Sequence, residues 1–244
     1  MLCSRWVSKA AGAFLDSRLS KPLIKPFVKK SGIDLDDYES DGFESFNDCF
    51  TRKIKAGKRP FSENDKDLCA PCDGLLCAYK IENGTVLPVK QSAYTVSSLL
   101  GNDSIAESFS GGTCLCFRLC VDNYHRYAFF DRGTVQKRRF IPGRLHTVRP
   151  IALEKYPVFT ENCREYTVLE TENFGRAVYV EVGAMLVGKI KNRDVKEFSR
   201  GEEKGMFLYG GSTVILLLEK GAARVREEYF SGEEIPVKMG ETLN

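Results

Sequence analysis

From about Cys69 onward the chain runs in short stretches of Val, Ile, Leu, Tyr and Phe, cut by glycine, asparagine and aspartate. That rhythm leaves few folds open. The stretches Leu75–Ile81, Cys114–Val121, Tyr127–Phe130, Arg176–Val182 and Val214–Leu218 each have strand length. Asn83-Gly84, Asp131-Arg132-Gly133 and Glu172-Asn173-Phe174-Gly175 carry turn chemistry between them. Residues 1–59 read differently. Trp6, Ala10, Phe14 and Leu15 fall at helical spacing, Pro22 and Pro26 break the pattern afterwards, and Arg59-Pro60 marks the end of the helical region. The expected fold class is α+β, with N-terminal amphipathic helices followed by a largely antiparallel β core. The expected organisation is a helical region, 1–60, and a β-rich domain, 61–244.

A chain of 244 residues, 43% hydrophobic and 28% charged, can bury a full core and is not disordered. A net charge of only +3 argues against a dedicated nucleic-acid binder. The charge is concentrated, however: residues 1–30 hold seven Lys or Arg and a single acid, Asp16. Leu23, Ile24, Phe27 and Val28 are interleaved with Lys21, Lys25, Lys29 and Lys30. Such a segment either lies in a membrane interface or packs as a surface helix with a solvated basic face. No apolar stretch approaches the roughly 20 residues of a transmembrane helix. Nine cysteines without a recognisable signal peptide read as free, structural thiols of a reducing compartment. Cys69-Ala70-Pro71-Cys72 has redox spacing but leads into a turn and a strand, the wrong context for a thioredoxin-like motif. No metal-ligand spacing and no phosphate-binding glycine loop is present.

Three residue types carry candidate chemistry. The chain has two histidines, His125 and His146, so an imidazole base must be one of them. Asp73, in Asp73-Gly74, is first of all a turn residue, and it is also a group that could orient a histidine. In Gly210-Gly211-Ser212-Thr213 two glycines leave the bond before Ser212 bare, so a bent backbone would let the hydroxyl reach the preceding carbonyl. The plainer reading is a glycine turn into a buried strand.

Read together, seven segments resemble the phosphatidylserine decarboxylase family of pyruvoyl enzymes, in order and from about Phe43 to Glu219. They are Phe46-Asn47-Asp48-Cys49-Phe50-Thr51-Arg52; Pro71-Cys72-Asp73-Gly74; Val89-Lys90-Gln91 with Tyr94 through Leu99-Leu100-Gly101; and Tyr124-His125-Arg126. The remaining three are Phe159 through Asn162-Cys163-Arg164-Glu165; Val182-Gly183-Ala184 with Val187-Gly188-Lys189-Ile190; and Lys204-Gly205-Met206-Phe207 with Gly211-Ser212-Thr213. One such match is weak; seven in sequence are specific.

The resemblance implies an enzyme that decarboxylates phosphatidylserine to phosphatidylethanolamine after cutting itself between Gly211 and Ser212. The cut leaves a β chain, 1–211, and an α chain, 212–244, and Ser212 becomes the covalent pyruvoyl group. It also implies that Asp73, His125 and Ser212 form the self-cleavage triad, and that the protein sits peripherally on the cytoplasmic face of the membrane. Phosphatidylserine in an anionic surface is the implied partner, and a homodimer the implied assembly. Two positions depart from the family pattern. Gly210 stands where the common motif has leucine, which leaves the Gly-Ser bond intact. Ala128 stands where many members carry a second histidine, often assigned as the triad base. Either His125 then serves both self-cleavage and decarboxylation, the favoured reading, or His146 fills one role. The other readings are a pyruvoyl decarboxylase of a soluble amine acid and a non-catalytic β-rich module that binds membrane surfaces.

Overall fold

The computed structural model describes residues 5–39, 42–82, 85–89, 92–144, 158–183, 190–208, 210 and 212–244. The chain opens with helices α1 (Arg5–Asp16) and α2 (Ile24–Ser31), joined by a 3₁₀ segment, Arg18–Leu23, and followed by the short α3 (Phe46–Phe50). Strands β1 (Gly74–Lys80), β2 (Thr85–Val89) and β3 (Ser92–Thr95) precede α4 (Val96–Leu99). Then come β4 (Thr113–Leu119), β5 (Arg126–Ala128), β6 (Gly133–Ile141), α5 (Val158–Glu161), β7 (Arg164–Thr171) and β8 (Gly175–Val182). The chain closes with β9 (Ile190–Asn192), β10 (Glu197–Phe198), β11 (Glu203–Phe207), β12 (Ser212–Leu218) and β13 (Ile235–Val237).

Eight strands form one sheet in the order β10-β6-β7-β8-β12-β4-β1-β13, and a smaller sheet has the order β5-β11-β9. The main-sheet pairings are antiparallel throughout, as are those of the small sheet. This is the α+β architecture expected from the sequence. Every residue of β12 is buried, because the sheet is covered on both faces at its centre. One face presents Leu119, Val214, Leu216 and Tyr179 to the larger core, which Tyr127 and Phe207 of the small sheet complete. The other presents Ile215, Leu217, Val180 and Val182 to a second core closed by Tyr94, Leu99 and Phe159. The period-2 alternation of a strand makes these two sets from one sequence.

Helix covers less of the N-terminal region than the spacing predicts, and the prolines act differently. Pro22 lies inside the 3₁₀ segment and Pro26 in the first turn of α2. In a first turn the missing N–H costs nothing, since no intrahelical acceptor awaits it there. Helix α2 stops at Gly32, whose φ of 62° is the left-handed conformation that glycine adopts without strain. Leu15, Phe46 and Phe50 make a small third core, with Ile24 and Phe27 against it. Asn83-Gly84 lies outside the described residues.

Candidate active site

Strand β4 organises the site. Its residue Arg118 pairs with Leu75 of β1 on one side and with Thr213 of β12 on the other. Asp73, just before β1, and Ser212, the first residue of β12, are thereby brought to the same end of the sheet. Beyond β4 the chain turns through Cys120 to Asn123 and reaches His125 just before β5, so the segments that carry the three residues lie toward one end of the sheet. The turn is held locally: Cys120 N donates to Asn123 Oδ1 at 2.7 Å, and Asn123 N to Cys120 O at 3.0 Å.

Ser212 starts the strand rather than preceding it, opposite Leu119 of β4. It is fully buried, and its Oγ has no hydrogen-bond partner among the described residues. A buried hydroxyl without a partner costs on the order of 1–3 kcal/mol, a cost that functional sites tolerate and cores rarely do. Gly210, two residues earlier, is buried with φ 134°, a conformation that favours glycine. Gly211 lies outside the described residues, as do Lys90-Gln91, the segment 184–189 and His146.

His125 is fully buried against Phe50, with ring centroids 4.0 Å apart. Its Nδ1 lies 3.0 Å from the Asn123 carbonyl oxygen. A carbonyl only accepts, so this contact assigns the proton to Nδ1 and leaves the lone pair on Nε2. Burial, helped by the nearby Arg52 charge, pulls the imidazole pKa down to about 3 against the opposing pull of the Asn123 and Gly210 backbones. The ring is therefore neutral at physiological pH. Nε2 is buried and completes no hydrogen bond among the described residues, and the Gly210 backbone is close enough to the ring to favour its charged form. The imidazole thus lies near the residue two positions before Ser212, whose hydroxyl also has no partner among the described residues.

Arg52 fixes the His125 loop, a role that the sequence did not reveal. Its Nη2 donates to the carbonyls of Asp122 (3.0 Å) and Asn123 (3.2 Å), and its guanidinium sits 4.4 Å from the Tyr38 ring centroid. Arg126 reaches back, donating from Nε to Thr51 O at 2.8 Å and from Nη1 to both carboxylate oxygens of Glu203. Two of the seven sequence segments, Phe46–Arg52 and Tyr124–Arg126, are thus one interlocked unit. A third segment braces the far side of Ser212. Asn162 Nδ2 donates to Gly183 O at 2.7 Å, and the β8–β12 register places Gly183 next to Ser212.

The structure does not join Asp73 to His125. Both Asp73 oxygens are taken by Arg59, with Nε–Oδ1 and Nη2–Oδ2 each 3.0 Å, and Oδ1 also accepts from Met239 N at 2.8 Å. The Asn123 carbonyl orients the imidazole instead. Ala128 donates its N–H to Pro71 O at 2.8 Å and lines a cavity of about 210 Å³ with Tyr124, Arg126, Glu203 and Met239. The place of the second histidine is therefore open space beside the Asp73 segment. Cys69 and Cys72 are buried free thiols, and burial raises both, Cys72 strongly. Burial thus favours the protonated thiol over the reactive thiolate at both positions.

A neutral imidazole and a serine hydroxyl without a partner among the described residues are both buried near Gly210, at the start of a central strand. The phosphatidylserine decarboxylase family model matches residues 46–244, and the chain belongs to that family. Among relatives, phosphatidylserine decarboxylase proenzyme 2 of Clostridium acetobutylicum is 44% identical over 246 residues, covering 99% of this chain and 84% of its own. The phosphatidylserine decarboxylase proenzymes of Ruminiclostridium cellulolyticum and Clostridium botulinum (strain 657 / Type Ba4) are 39% and 40% identical. They cover 97% and 98% of this chain, and 82% and 84% of their own lengths.

Proposed function

We propose that this protein cuts itself between Gly211 and Ser212 and then decarboxylates phosphatidylserine with the pyruvoyl group left at Ser212. The observation that carries the reading is the paired orphaning of Ser212 Oγ and His125 Nε2 around Gly210. His125 takes the Oγ proton, Oγ attacks the Gly211 carbonyl, and the same proton goes to the departing Ser212 nitrogen, so the amide becomes an ester. Removal of the Ser212 α-proton then expels the Gly211 carboxylate. Water replaces the resulting enamine nitrogen as ammonia leaves, which completes the pyruvoyl group. The buried start of β12, held between β4 and β8, keeps the new terminus in place.

A pyruvoyl group at Ser212 would supply a carbonyl able to hold the substrate amine and take up the electron pair released with CO2. His125 would return a proton to the substrate carbon after taking one at Nε2 from the substrate ammonium. Asp73 supports the site indirectly: with Arg59 it ties the start of β1 to Met239.

The lipid substrate fits the N-terminal surface. Phe14, Leu19 and Leu23 are exposed there, as are Lys25, Lys29 and Lys30. Exposed apolar side chains beside lysines suit peripheral docking on an anionic leaflet. Among the described residues no helix is long and apolar enough to cross a membrane. The test is release of CO2 from phosphatidylserine vesicles and from free serine by the purified protein and its Ser212→Ala variant. Turnover on vesicles alone, absent in the variant, is expected. Equal turnover of free serine would replace the lipid substrate with a soluble one, and no turnover of either would reject the decarboxylase reading.

A further inference from the structure

Among the described residues, the ion pair with both side chains wholly buried is not at Ser212. Lys204 of β11 and Glu181 of β8 are ion-paired at 2.5 Å with both side chains wholly buried. The other Glu181 oxygen accepts from Asn192 Nδ2 at 3.1 Å, and the same nitrogen lies 2.9 Å from Glu165 Oε1. Asn192 Oδ1 accepts from Tyr127 OH at 2.9 Å, and the Lys204 ammonium stands 4.9 Å from the Tyr179 ring centroid. The space is full: a Cβ on Gly205 would come within 2.5 Å of Asn192 Oδ1 and 2.9 Å of Tyr127 OH. Burial pushes the Lys204 amine down and the Glu181 carboxyl up, so the pair is not a cheap source of stability. Well-packed apolar residues of similar volume often serve stability as well or better.

What the pair does have is a special position. Lys204 belongs to the small sheet, in which β11 pairs with β5 and Phe207 N donates to His125 O at 2.9 Å. Glu181 belongs to the main sheet, paired with Val214 on the same face as Ser212. The ion pair therefore spans the two sheets that carry the base and the nucleophile. Apolar packing is non-directional and permits small slides; a short charged hydrogen bond does not.

We propose that Lys204 and Glu181, with Asn192, are positioning residues for self-cleavage that fix the His125-bearing sheet in register over the Ser212-bearing strand. This rests on the self-cleavage reading above. Misplacement of reacting groups by about 1 Å can cost about a hundredfold in rate.

The experiment follows cleavage of freshly synthesised full-length precursor by electrophoresis, and measures unfolding midpoints of the same variants in a Ser212→Ala background. The double replacement Lys204→Met with Glu181→Leu is expected to match or exceed the parent in midpoint while cleaving at least tenfold more slowly, a change of about 1.4 kcal/mol in barrier. Glu181→Gln, whose one side-chain oxygen can still accept from Lys204, is expected to recover part of the rate. Should the double variant fail to fold, Asn192→Ala carries the test, with cleavage expected to slow by more than its lower midpoint accounts for. Cleavage at the parental rate in a folded variant would overturn the proposal, and so would loss of rate only in step with loss of stability. If the unmodified precursor never cuts, the self-cleavage reading fails instead.

Discussion

The Asn123 carbonyl oxygen, 3.0 Å from Nδ1 of His125, decides the tautomer of the only histidine among the described residues. The Gly210 backbone also lies close to the ring. In a Ser–His pair the base is usually oriented by a carboxylate. Here a backbone carbonyl does it, and Arg52 holds that carbonyl in turn. A neutral acceptor orients the ring without stabilising its protonated form as strongly as an anion would, which agrees with the depressed basicity of His125.

That basicity sets a pH dependence. The imidazole titrates at about 3 folded and 6.5 unfolded, so above the unfolded value both states are neutral and His125 adds no slope. Below it the unfolded state takes up a proton that the folded state refuses. Stability is then lost between about pH 6.5 and pH 3, at up to roughly 1.4 kcal/mol per pH unit. Urea titrations of Ser212→Ala across that range are expected to show this slope, and His125→Phe in the same background is expected to flatten it.

Arg52→Lys keeps the charge but loses the fork that grips two carbonyls at once. Precursor processing is expected to slow about tenfold, roughly 1.4 kcal/mol, with the helices still formed by circular dichroism. Processing at the parental rate would show that the His125 loop holds itself.

Arg59 and Asp73 are each 9% exposed and bidentate, so removing one strands the other. Arg59→Met is expected to cost about 3 kcal/mol in urea unfolding, and a double-mutant cycle with Asp73→Asn to show strong coupling. Ala128→His alone is expected to leave processing unchanged, because Arg59 already occupies both oxygens of Asp73.

Lys25, Lys29 and Lys30 are exposed on α2. Near an anionic surface each contributes about 1 kcal/mol, so the triple alanine variant is expected to bind phosphatidylserine vesicles about a hundredfold less tightly at low salt. Binding that ignores both the substitution and the salt would place the docking surface elsewhere. Vesicle co-sedimentation measures it.

The β core was legible because alternation and turn residues are local signals: Arg176–Val182 and Val214–Leu218 lie within strands of almost the same bounds. The prolines of the N-terminal region misled, since a proline at a helix start and one at a helix end look alike in sequence. Ser212, His125 and Asp73 were singled out as members of a recurring order of motifs, and the topology brings their segments toward one end of β4. Their partners were not. Asn123 and Arg52 act through backbone carbonyls, which no residue pattern encodes, and Arg59 finds Asp73 only once β1 is placed. The Lys204–Glu181 pair joins residues 23 positions apart on different sheets, a contact with no periodicity to announce it.

The central claim is that Ser212 is a nucleophile against its own chain, and intact-mass measurement of the purified full-length protein under denaturing conditions tests it most directly. The account predicts two chains, one ending at Gly211 and one spanning 212–244 whose first residue has the mass of a pyruvoyl group in place of serine, and a single uncut chain for Ser212→Ala. A single 27.4 kDa species from the unmodified protein, or a cut with serine intact at position 212, would contradict it.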